Sequence, residues 1–373
     1  MKSSKIKNIL AKTVLTPCSY IYKAIVSTRN FLFNAGVLKQ TEFDVPVVVV
    51  GNLAVGGTGK TPHTEYIVSR MCINHNMAVL SRGYKRKTKG FVSASQNLSS
   101  YDLGDEPYQI YRKFGSNVDV AVCEKRVEGI QRMLEINPDI NLFVLDDAFQ
   151  HRYVKPTLSI VLTDYRKLPC DDKMLPLGTL REPKEGLSRA DIVVVTKCPA
   201  DMKPIDKNVV KKKMGLEKWQ KLLFSTYRYK ELLPVFKGEC VNSPDLTWLS
   251  KKDTILVVTG IANPLPMVKH LKQYDARVKV IHFNDHHDFS RDDLAFIQRT
   301  FERLNGERKM IITTEKDAVR LINNPYFPHS LRKQIMYLPV EVEFVQNDDD
   351  DDLINLITNG IAQKLRQKNK NLD

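Results

Sequence analysis

The sequence has few cysteines and no long uncharged apolar run, and each shortage excludes a class of protein. The six cysteines are scattered along 373 residues, and no two have C-x-x-C spacing. Neither a disulfide framework nor a zinc knuckle is therefore indicated, and reduced thiols in the cytoplasm are the default expectation. No segment is apolar and uncharged over the length of a membrane span, which argues against a spanning helix.

Acidic residues are missing altogether from the first 40 positions. Basic residues alternate there with aliphatic and aromatic ones, and Pro17 is expected to break or kink the segment into two helical pieces. Such a segment suits a membrane interface, with apolar side chains in the acyl boundary and lysines at anionic headgroups. The alternative is a pair of helices packed on the protein's own core. We expect residues 1–40 to dock the protein on the inner leaflet of a membrane.

Positive charge, in contrast, is abundant. The formal net charge of +14 fits an acidic partner, which is a nucleotide, a nucleic acid or an anionic membrane surface. A chain of 373 residues is long enough for two domains, or for one large α/β domain with extensions.

A β-branched strand, a glycine-rich turn and the start of a helix follow one another at residues 47–62. This order is typical of a phosphate-binding loop, in which backbone N–H groups and a helix N-terminus surround an anion. Lys60 is expected to reach the β- and γ-phosphates, and the Thr61 hydroxyl to bind Mg²⁺. The pattern has one defect, since a strict match has Gly at position 54. We expect nucleotide binding by Ala54, Val55, Gly56, Gly57, Thr58, Gly59, Lys60 and Thr61.

A second apolar strand, downstream of the loop, ends in the paired aspartates Asp146 and Asp147. In phosphoryl-transfer proteins of this layout one carboxylate holds Mg²⁺, and the other can polarise a nucleophile. Arg82 and Tyr84 follow another short strand and are expected to contact a ligand, because open α/β sheets bind ligands at the carboxyl ends of strands. Arg181 lies in a loop punctuated by Pro and Gly, and is either a cation for a transferred phosphate or part of a structural ion pair.

Two further polar groups have no unique interpretation from spacing alone. Asp105 and Glu106 open a helix, where carboxylates often merely cap the N-terminus. The Asp-His-His-Asp run at 285–288 is compatible with a surface turn or with proton abstraction from a hydroxyl. Zinc is the weakest interpretation of this run, because no further Cys or His cluster completes a site.

Strands alternate with helical stretches as far as residue 197, which predicts an α/β fold with a doubly wound, mostly parallel sheet. We interpret residues 224–229 and 231–236 as antiparallel strands of a smaller unit, and the aspartate run at 348–352 as a solvated linker before a frayed basic tail that starts at Lys364. The predicted division has five parts. They are an N-terminal helical segment (1–40), a nucleotide lobe (41–200), a linker with antiparallel strands (201–250), a second α/β lobe (251–345), and an acidic linker with a basic tail (346–373).

Several motifs occur together and in one order. They are Val-Gly-Asn-Leu-Ala-Val-Gly-Gly-Thr-Gly-Lys-Thr-Pro (50–62), Ser-Arg-Gly-Tyr (81–84), Gly-Asp-Glu-Pro (104–107), Asp-Asp-Ala-Phe-Gln-His (146–151), Leu-Pro-Leu-Gly-Thr-Leu-Arg-Glu-Pro (175–183), Gly-Ile-Ala-Asn-Pro (260–264), Asp-His-His (285–287) and Thr-Glu-Lys-Asp-Ala (314–318). In this combination the chain resembles the tetraacyldisaccharide 4′-kinases, the lipid A 4′-kinases of Gram-negative bacteria, over residues 15–345. One departure is Ala148, which stands where many members have Gly.

The resemblance implies a P-loop NTPase-like fold with two unequal α/β lobes and a helical membrane anchor. The protein would then be peripheral or monotopic at the cytoplasmic face of the inner membrane. The implied reaction is phosphorylation by Mg·ATP of the 4′-hydroxyl of a tetraacyldisaccharide 1-phosphate. The implied catalytic pair is Asp105 and His286. This role replaces the interpretation of Asp105 as a helix cap and of His286 as part of a surface turn. The pair is expected to form only when the lobes close. Mg²⁺ is assigned to Thr61, Asp146, Asp147 and Glu106, and the substrate side to Arg82, Tyr84, Arg126, Arg181 and Glu182.

Two other classes of protein remain as alternatives. A P-loop metallochaperone GTPase or ATPase would need a Cys/His metal-transfer motif, which the sequence lacks. A nucleic-acid-associated ATPase would show salt-sensitive DNA binding and DNA-stimulated hydrolysis, and the N-terminal segment argues against it. The expected ligands are therefore ATP, Mg²⁺ and a lipid A precursor, with the inner membrane surface as a partner and no nucleic acid.

Overall fold

A computed structural model of the protein describes residues 2–239, 245–345 and 352–370, with side chains from residue 13 onward. Its helices are α1 (Lys2–Asn34), α2 (Lys60–Met71), α3 (Ser100–Leu103), α4 (Asp105–Phe114), α5 (Arg126–Ile136), α6 (Pro204–Met214), α7 (Leu265–Leu271), α8 (Arg291–Glu302), α9 (Glu315–Ile322) and α10 (Leu353–Lys370). Its strands are β1 (Val47–Asn52), β2 (Met77–Ser81), β3 (Val92–Ser93), β4 (Val118–Val122), β5 (Leu142–Asp146), β6 (Leu158–Asp164), β7 (Ile192–Thr196), β8 (Lys221–Tyr229), β9 (Leu233–Pro234), β10 (Thr254–Thr259), β11 (Arg277–His282), β12 (Lys309–Thr314), β13 (Ile335–Leu338) and β14 (Val340–Phe344).

The larger sheet has nine strands in the order β14-β8-β7-β6-β1-β5-β2-β4-β3. The strands from β8 to β4 are parallel, and antiparallel β14 and β3 close the two edges. All residues of β1, β2, β5 and β7 are buried, and separate apolar clusters cover the two faces of the sheet. Continuous Val/Ile/Leu runs suit a parallel sheet that is covered on both faces, so the predicted α/β fold with a mostly parallel sheet is confirmed.

The smaller sheet has five strands in the order β11-β10-β12-β13-β9, of which only β9 is antiparallel. The chain enters this second unit after β8 and leaves it before β14, and these two strands pair with each other at Tyr229 and Val340. The second unit is therefore an insertion whose two connections to the larger sheet lie side by side. We call the part around the larger sheet the first lobe, and the insertion the second lobe.

Three details differ from the sequence-based expectations. Pro17 lies inside a single helix, α1, and does not divide it into two pieces. Residues 224–229 do pair antiparallel with β14, but they also pair in parallel with β7, so β8 belongs to the larger sheet and not to a smaller unit. The basic tail continues as helix α10 to Lys370, since Leu353 and Ile357 are buried against the first lobe and hold the helix there. The predicted acidic linker falls mainly on residues 346–351, outside the described residues.

Helix α1 packs on the first lobe along one face and exposes an apolar stripe along the other. Phe33 is buried, Ser19 Oγ donates to the Met174 carbonyl at 2.9 Å, and Tyr22 Oη donates to the Arg181 carbonyl at 3.1 Å. The exposed stripe, with side chains four to seven residues apart, contains Val14, Ile21, Ile25 and Phe31. No described helix combines the length and the apolar character that crossing a bilayer requires.

Candidate active site

The glycine-rich loop joins the central strand β1 to helix α2, which begins at Lys60. Gly59 precedes the helix with a φ of 89°, in the left-handed region, and a β-carbon at this position would overlap the Tyr227 hydroxyl. Glycine is therefore required both by the backbone and by the close approach of Tyr227. This geometry places the positive end of α2, and the Lys60 side chain, at the carboxyl edge of the larger sheet.

The loop is held in shape from two strands of the larger sheet. Asn52, at the end of β1, donates from Nδ2 to Thr58 Oγ1 at 2.7 Å. At the end of β7, Thr196 Oγ1 donates to the Thr58 carbonyl at 2.8 Å, and Lys197 Nζ donates to the Gly57 carbonyl. Because three separate groups fix the carbonyls and the hydroxyl of the loop, its conformation does not depend on a bound anion.

The loop residues expected to bind the nucleotide fall into two groups. Ala54 and Val55 pair with the neighbouring loop at residues 179–180, where the Val55 N–H donates to the Thr179 carbonyl at 2.8 Å. The Val55 N–H is therefore already used and is not free to donate to a phosphate. Gly56 and Gly57 are open, since a β-carbon at either position would meet no atom within 4 Å.

Asp146 and Asp147, at the end of β5, face the same loop. Asp146 is buried and accepts a hydrogen bond from Thr64 Oγ1 at 3.1 Å, and burial together with the charge of Asp147 raises its pKa to about 6. Asp147 lies 2.7 Å from Arg181 Nη2 and 3.7 Å from Lys60 Nζ. Burial alone would raise the pKa of Asp147, but these two cations more than offset it and hold the pKa below its ordinary value. Two cations thus converge on one carboxylate beside the loop.

The oxygen donors here fit Mg²⁺ bound together with a phosphate better than a closed metal cage. Within residues 2–239, 245–345 and 352–370, no group of three or more His, Cys, Asp or Glu side chains is arranged to hold a metal. Mg²⁺ typically uses one or two carboxylates plus phosphates and water. Asp146 is a buried carboxylate whose pKa is raised first by burial and then by the charges of Asp147 and Glu106, an environment in which a divalent cation relieves repulsion.

The side chains of Arg181 and Glu182, both predicted on the substrate side, have different partners. Arg181 faces Asp147, as described above. Glu182 is only 1% exposed, and its carboxylate receives hydrogen bonds from Asn30 of α1 at 2.9 Å and from Arg189. Glu182 therefore connects helix α1 to the loop that carries Arg181, and its carboxylate is not open to a substrate.

The other residues predicted on the substrate side differ in their exposure. Arg82 and Tyr84 are exposed, and the Tyr84 ring meets the His286 ring edge-on with centroids 5.7 Å apart. Arg126 is buried at the start of α5, where it donates to the carbonyls of residues 123 and 124. Burial lowers the pKa of Arg126 to about 10, and the charge of Asp147 opposes that change. Tyr84 thus reaches the second lobe, whereas Arg126 supports the first lobe from inside.

Asp105 and His286 come from different lobes and meet. Asp105 is the first residue of α4, and His286 lies in the loop after β11 with a φ of 59°, an unusual backbone conformation for a residue other than glycine. His286 Nδ1 lies 3.4 Å from Asp105 Oδ2. Burial would raise the pKa of Asp105, but hydrogen bonds from His286 and Arg320 lower it to about 2, so the carboxylate is ionised at neutral pH.

Two cations on helix α9, Lys316 and Arg320, complete this cluster. Arg320 donates to Asp105 Oδ2 from Nε at 2.9 Å and from Nη2 at 2.6 Å. Lys316 Nζ lies 3.1 Å from His286 Nε2 and 2.6 Å from Glu106 Oε1. The sequence motifs predict no role for either residue. Their spacing of four places both on one face of α9, but nothing local in the sequence marks that face as part of a site.

Glu106 links the two halves of the site electrostatically. Its negative charge contributes to the raised pKa of Asp146, and its carboxylate pairs with Lys316. His287, the other histidine of the cluster, instead bonds Asp293 at 3.0 Å and stacks on Phe283 with centroids 4.5 Å apart. Of the two adjacent histidines, only His286 therefore faces the first lobe.

Comparisons with known proteins match nearly the whole chain. The sequence profile of the Tetraacyldisaccharide-1-P 4'-kinase family matches residues 11–359. The Tetraacyldisaccharide 4'-kinase of Bacteroides thetaiotaomicron is 50% identical over 343 residues, which is 90% of each chain. The protein of the same name from Phocaeicola vulgatus is 45% identical and covers 96% of each chain.

A solved structure shares the fold. The crystal structure of LpxK from Aquifex aeolicus in complex with ATP superposes with a TM-score of 0.72 at 27% identity. The match covers 94% of this chain and 99% of that one. Both lobes are thus included in the likeness.

Proposed function

The chain belongs to the tetraacyldisaccharide-1-P 4'-kinase family, and we infer from this premise that it is an ATP-dependent lipid A 4′-kinase. It transfers the γ-phosphate of ATP to the 4′-hydroxyl of a tetraacyldisaccharide 1-phosphate, a lipid A precursor. The observation that carries the residue assignment is that Asp105 and His286, from separate lobes, lie 3.4 Å apart. The charge of Glu106, next to Asp105, acts on Asp146, which is the neighbour of the Asp147 that pairs with Lys60 and Arg181.

Phosphoryl transfer requires mainly positioning of the reactants and neutralisation of charge. In this proposal the backbone at Gly56 and Gly57, where a β-carbon would meet no atom within 4 Å, and the N-terminus of α2 bind the phosphates of ATP. Lys60 and Arg181, both held near Asp147, place two positive charges where the transferring group accumulates negative charge.

Oxygen donors suited to Mg²⁺ surround the same loop, and we assign the ion to Thr61, Asp146, Asp147 and Glu106. When bound, Mg²⁺ supplies neutralisation of the phosphate charge. Thr64 keeps Asp146 oriented toward the loop through its hydroxyl hydrogen bond of 3.1 Å.

The Asp105 carboxylate is the proposed acceptor of the substrate hydroxyl proton. As the hydroxyl oxygen forms its bond to the γ-phosphorus, the bond from that phosphorus to the bridging oxygen breaks, ADP leaves, and the proton passes to the Asp105–His286 pair. The acceptor mainly orients the hydroxyl, because the transition state of phosphoryl transfer is loose and the proton leaves late. Tyr84, beside His286, and Arg82 are assigned to the sugar side.

The direct test supplies purified protein with ATP and tetraacyldisaccharide 1-phosphate, and examines the product for a second phosphate at the 4′ position. Asp105→Ala and His286→Ala are expected to lower kcat by about 10²–10⁴ with little change in ATP affinity. His287→Ala is the matched control, because this neighbouring histidine pairs with Asp293 within its own lobe. Equal losses for His286→Ala and His287→Ala would remove His286 from the chemistry.

Membrane docking through α1 is a further part of the proposal. One face of the helix packs on the first lobe through Ser19 and Tyr22, and the other exposes Val14, Ile21, Ile25 and Phe31. An exposed apolar stripe on a helix rich in basic residues suits the headgroup boundary of an anionic bilayer. We assign the protein on this basis to the cytoplasmic face of the inner membrane, as a peripheral or monotopic protein.

Vesicle binding tests this assignment without removal of a packed helix. Ile21→Glu combined with Ile25→Glu is expected to abolish co-sedimentation with vesicles that contain phosphatidylglycerol, whereas the exposed pair Ile205→Glu and Val209→Glu on α6 should leave it unchanged. Full binding by the Ile21/Ile25 variant would show that this stripe is not the docking face.

A further inference from the structure

Polar pairs between α4 and α9 form part of the contact between the lobes, and we call this part the seam. In addition to the pairs of Asp105 with Arg320 and Glu106 with Lys316, Lys113 Nζ lies 2.7 Å from Glu315 Oε1. Tyr108 Oη lies 3.4 Å from Asn323 Oδ1. The covalent connections between the lobes are confined to the β8–β14 pair, so these contacts hold the second lobe against the first.

Arg320 is anchored within its own lobe by a buried carboxylate. Its side chain is 8% exposed, and Nη1 donates to Asp317 Oδ1 at 3.1 Å. Asp317 is completely buried and in turn accepts from the Gly260 N–H at 2.9 Å and from Thr314 Oγ1 at 2.7 Å. The guanidinium is therefore fixed by buried groups before it meets the other lobe.

From this fixed position Arg320 determines where the Asp105 carboxylate lies. Two of its N–H groups converge on the same oxygen, Oδ2, at 2.9 and 2.6 Å, and both contacts are shorter than the 3.4 Å to His286. Arginine suits this task, because its planar fork offers several donors in a rigid arrangement. A carboxylate at a helix start without such a partner would be free to rotate away from the substrate hydroxyl.

His286 is oriented by the same helix. A lysine ammonium can only donate, so Lys316 Nζ at 3.1 Å requires Nε2 of His286 to accept. His286 Nδ1 lies near two groups of the cluster, Arg320 Nη2 at 3.2 Å and Asp105 Oδ2 at 3.4 Å. One turn of α9 thus contacts both Asp105 and His286, through Arg320 and Lys316.

We propose that Arg320 is a positioning residue for phosphoryl transfer, which holds Asp105 in its reactive orientation and makes that orientation depend on contact between the lobes. The proposal rests on the proposed function, since it takes Asp105 as the proton acceptor. Arg320 itself touches neither the nucleotide nor the sugar in this scheme. Its effect is exerted through Asp105.

A double-mutant cycle tests whether Arg320 acts through Asp105. Arg320→Met is expected to lower kcat by about 10- to 100-fold while KM for ATP stays within about twofold. Arg320→Lys should recover part of that loss, because it keeps the charge without the fork. In an Asp105→Asn background, Arg320→Met should cause no further loss, because residues that act as one unit are not additive.

Lys113→Met is the control for loss of seam stability, and it also removes the pair of Lys113 with Glu65 inside the first lobe. It removes another ion pair between α4 and α9 and should leave kcat within about threefold of the wild-type value. A kcat loss in Lys113→Met equal to that in Arg320→Met would overturn the proposal, as would additive losses in the Asp105→Asn background. Arg320→Lys carries the same readouts should Arg320→Met not fold.

Different results would reject the positioning role of Arg320 and the proposed kinase function. If Asp105→Asn lowers kcat and Arg320→Met lowers it further in that background, the catalytic assignment of Asp105 and His286 stands and only the role of Arg320 is rejected. Full activity of Asp105→Asn would reject both. Absence of a 4′-phosphorylated product from the wild-type protein would reject the proposed function itself.

Discussion

The phosphate-binding loop and the α4–α9 seam are built in different ways. The loop is a continuous run of residues whose shape comes from backbone conformation and from three hydrogen bonds to its own sheet. The seam joins side chains that are 181 and 215 positions apart, as in the contacts of Asp105 with His286 and Arg320. The loop is therefore complete within one lobe, whereas the seam exists only while two lobes touch.

Because of this difference, substitutions in the loop and in the seam should have different kinds of effect. A change in the loop alters a preformed anion site, and its effect should appear whether or not the lobes are in contact. A change in the seam alters groups that depend on one another, so its effect should depend on which partner is present. The predictions below test this contrast, beginning with the largest expected effect.

Loss of the loop lysine should have the largest effect. Lys60→Met is expected to lower kcat by about 10³-fold, because it removes a positive charge from the transferring phosphate. The fold should persist, since the Lys60 side chain is at the surface of the site and pairs only loosely with Asp147 at 3.7 Å. Steady-state kinetics with thermal unfolding checks both expectations, with the exposed Lys155→Met as the control. A loss smaller than tenfold would contradict the assignment of Lys60.

The contrast between a contiguous loop and a seam of distant residues also explains which parts of the site could be predicted from the sequence. The loop and the Asp146–Asp147 strand were recognisable because their chemistry lies in contiguous residues with a fixed order of strand, turn and helix. Asp105 and His286 were ambiguous from spacing alone, and only the family resemblance paired them. Arg320 was missed because nothing local distinguishes it from a surface arginine at the end of a helix turn. Its partner Asp105 is 215 positions away.

The fold shows the same limit at larger scale. The alternation of strands and helices predicted the parallel sheet, because burial on both faces leaves a continuous apolar run in each strand. The return of the chain from the second lobe into the first was not predictable. Nothing local in β14 indicates that Val340 pairs with Tyr229 across the intervening insertion.

Substitution of the loop glycine should have an intermediate effect, on stability. Gly59→Ala is expected to lower the free energy of unfolding by about 1–3 kcal/mol, because alanine is strained at a φ of 89° and its β-carbon would overlap the Tyr227 hydroxyl. Gly57→Ala is the matched control, since a β-carbon there meets no atom within 4 Å. Urea unfolding measures both. If Tyr227→Phe in the Gly59→Ala background recovers none of the loss, the overlap is not part of the cause.

The smallest expected effect concerns Glu65, which connects the two regions. Glu65 lies on α2, the helix that follows the loop, and binds Gln109 and Lys113 of α4, while Lys113 also binds Glu315 of α9. Burial raises the pKa of Glu65 to about 7, against the attraction of Lys113, and Glu315 adds to the increase. Two carboxylates thus share one ammonium, and the more buried carboxylate keeps its proton.

The sign of the resulting pH dependence is opposite to that of an ordinary salt-bridged carboxylate. Between the unfolded pKa near 4.5 and the folded pKa of about 7, the folded protein binds a proton that the unfolded chain has released. The free energy of unfolding should therefore fall as the pH rises through about 7, by about 1 kcal/mol between pH 6 and 8. His63 and His151, whose pKa burial lowers to about 4, act in the opposite direction below pH 6.5. The contribution of Glu65 is isolated by the difference in free energy of unfolding between the wild type and Glu65→Gln, measured by urea unfolding at several pH values. A difference that stays constant from pH 6 to 8 would show that this carboxyl does not titrate there.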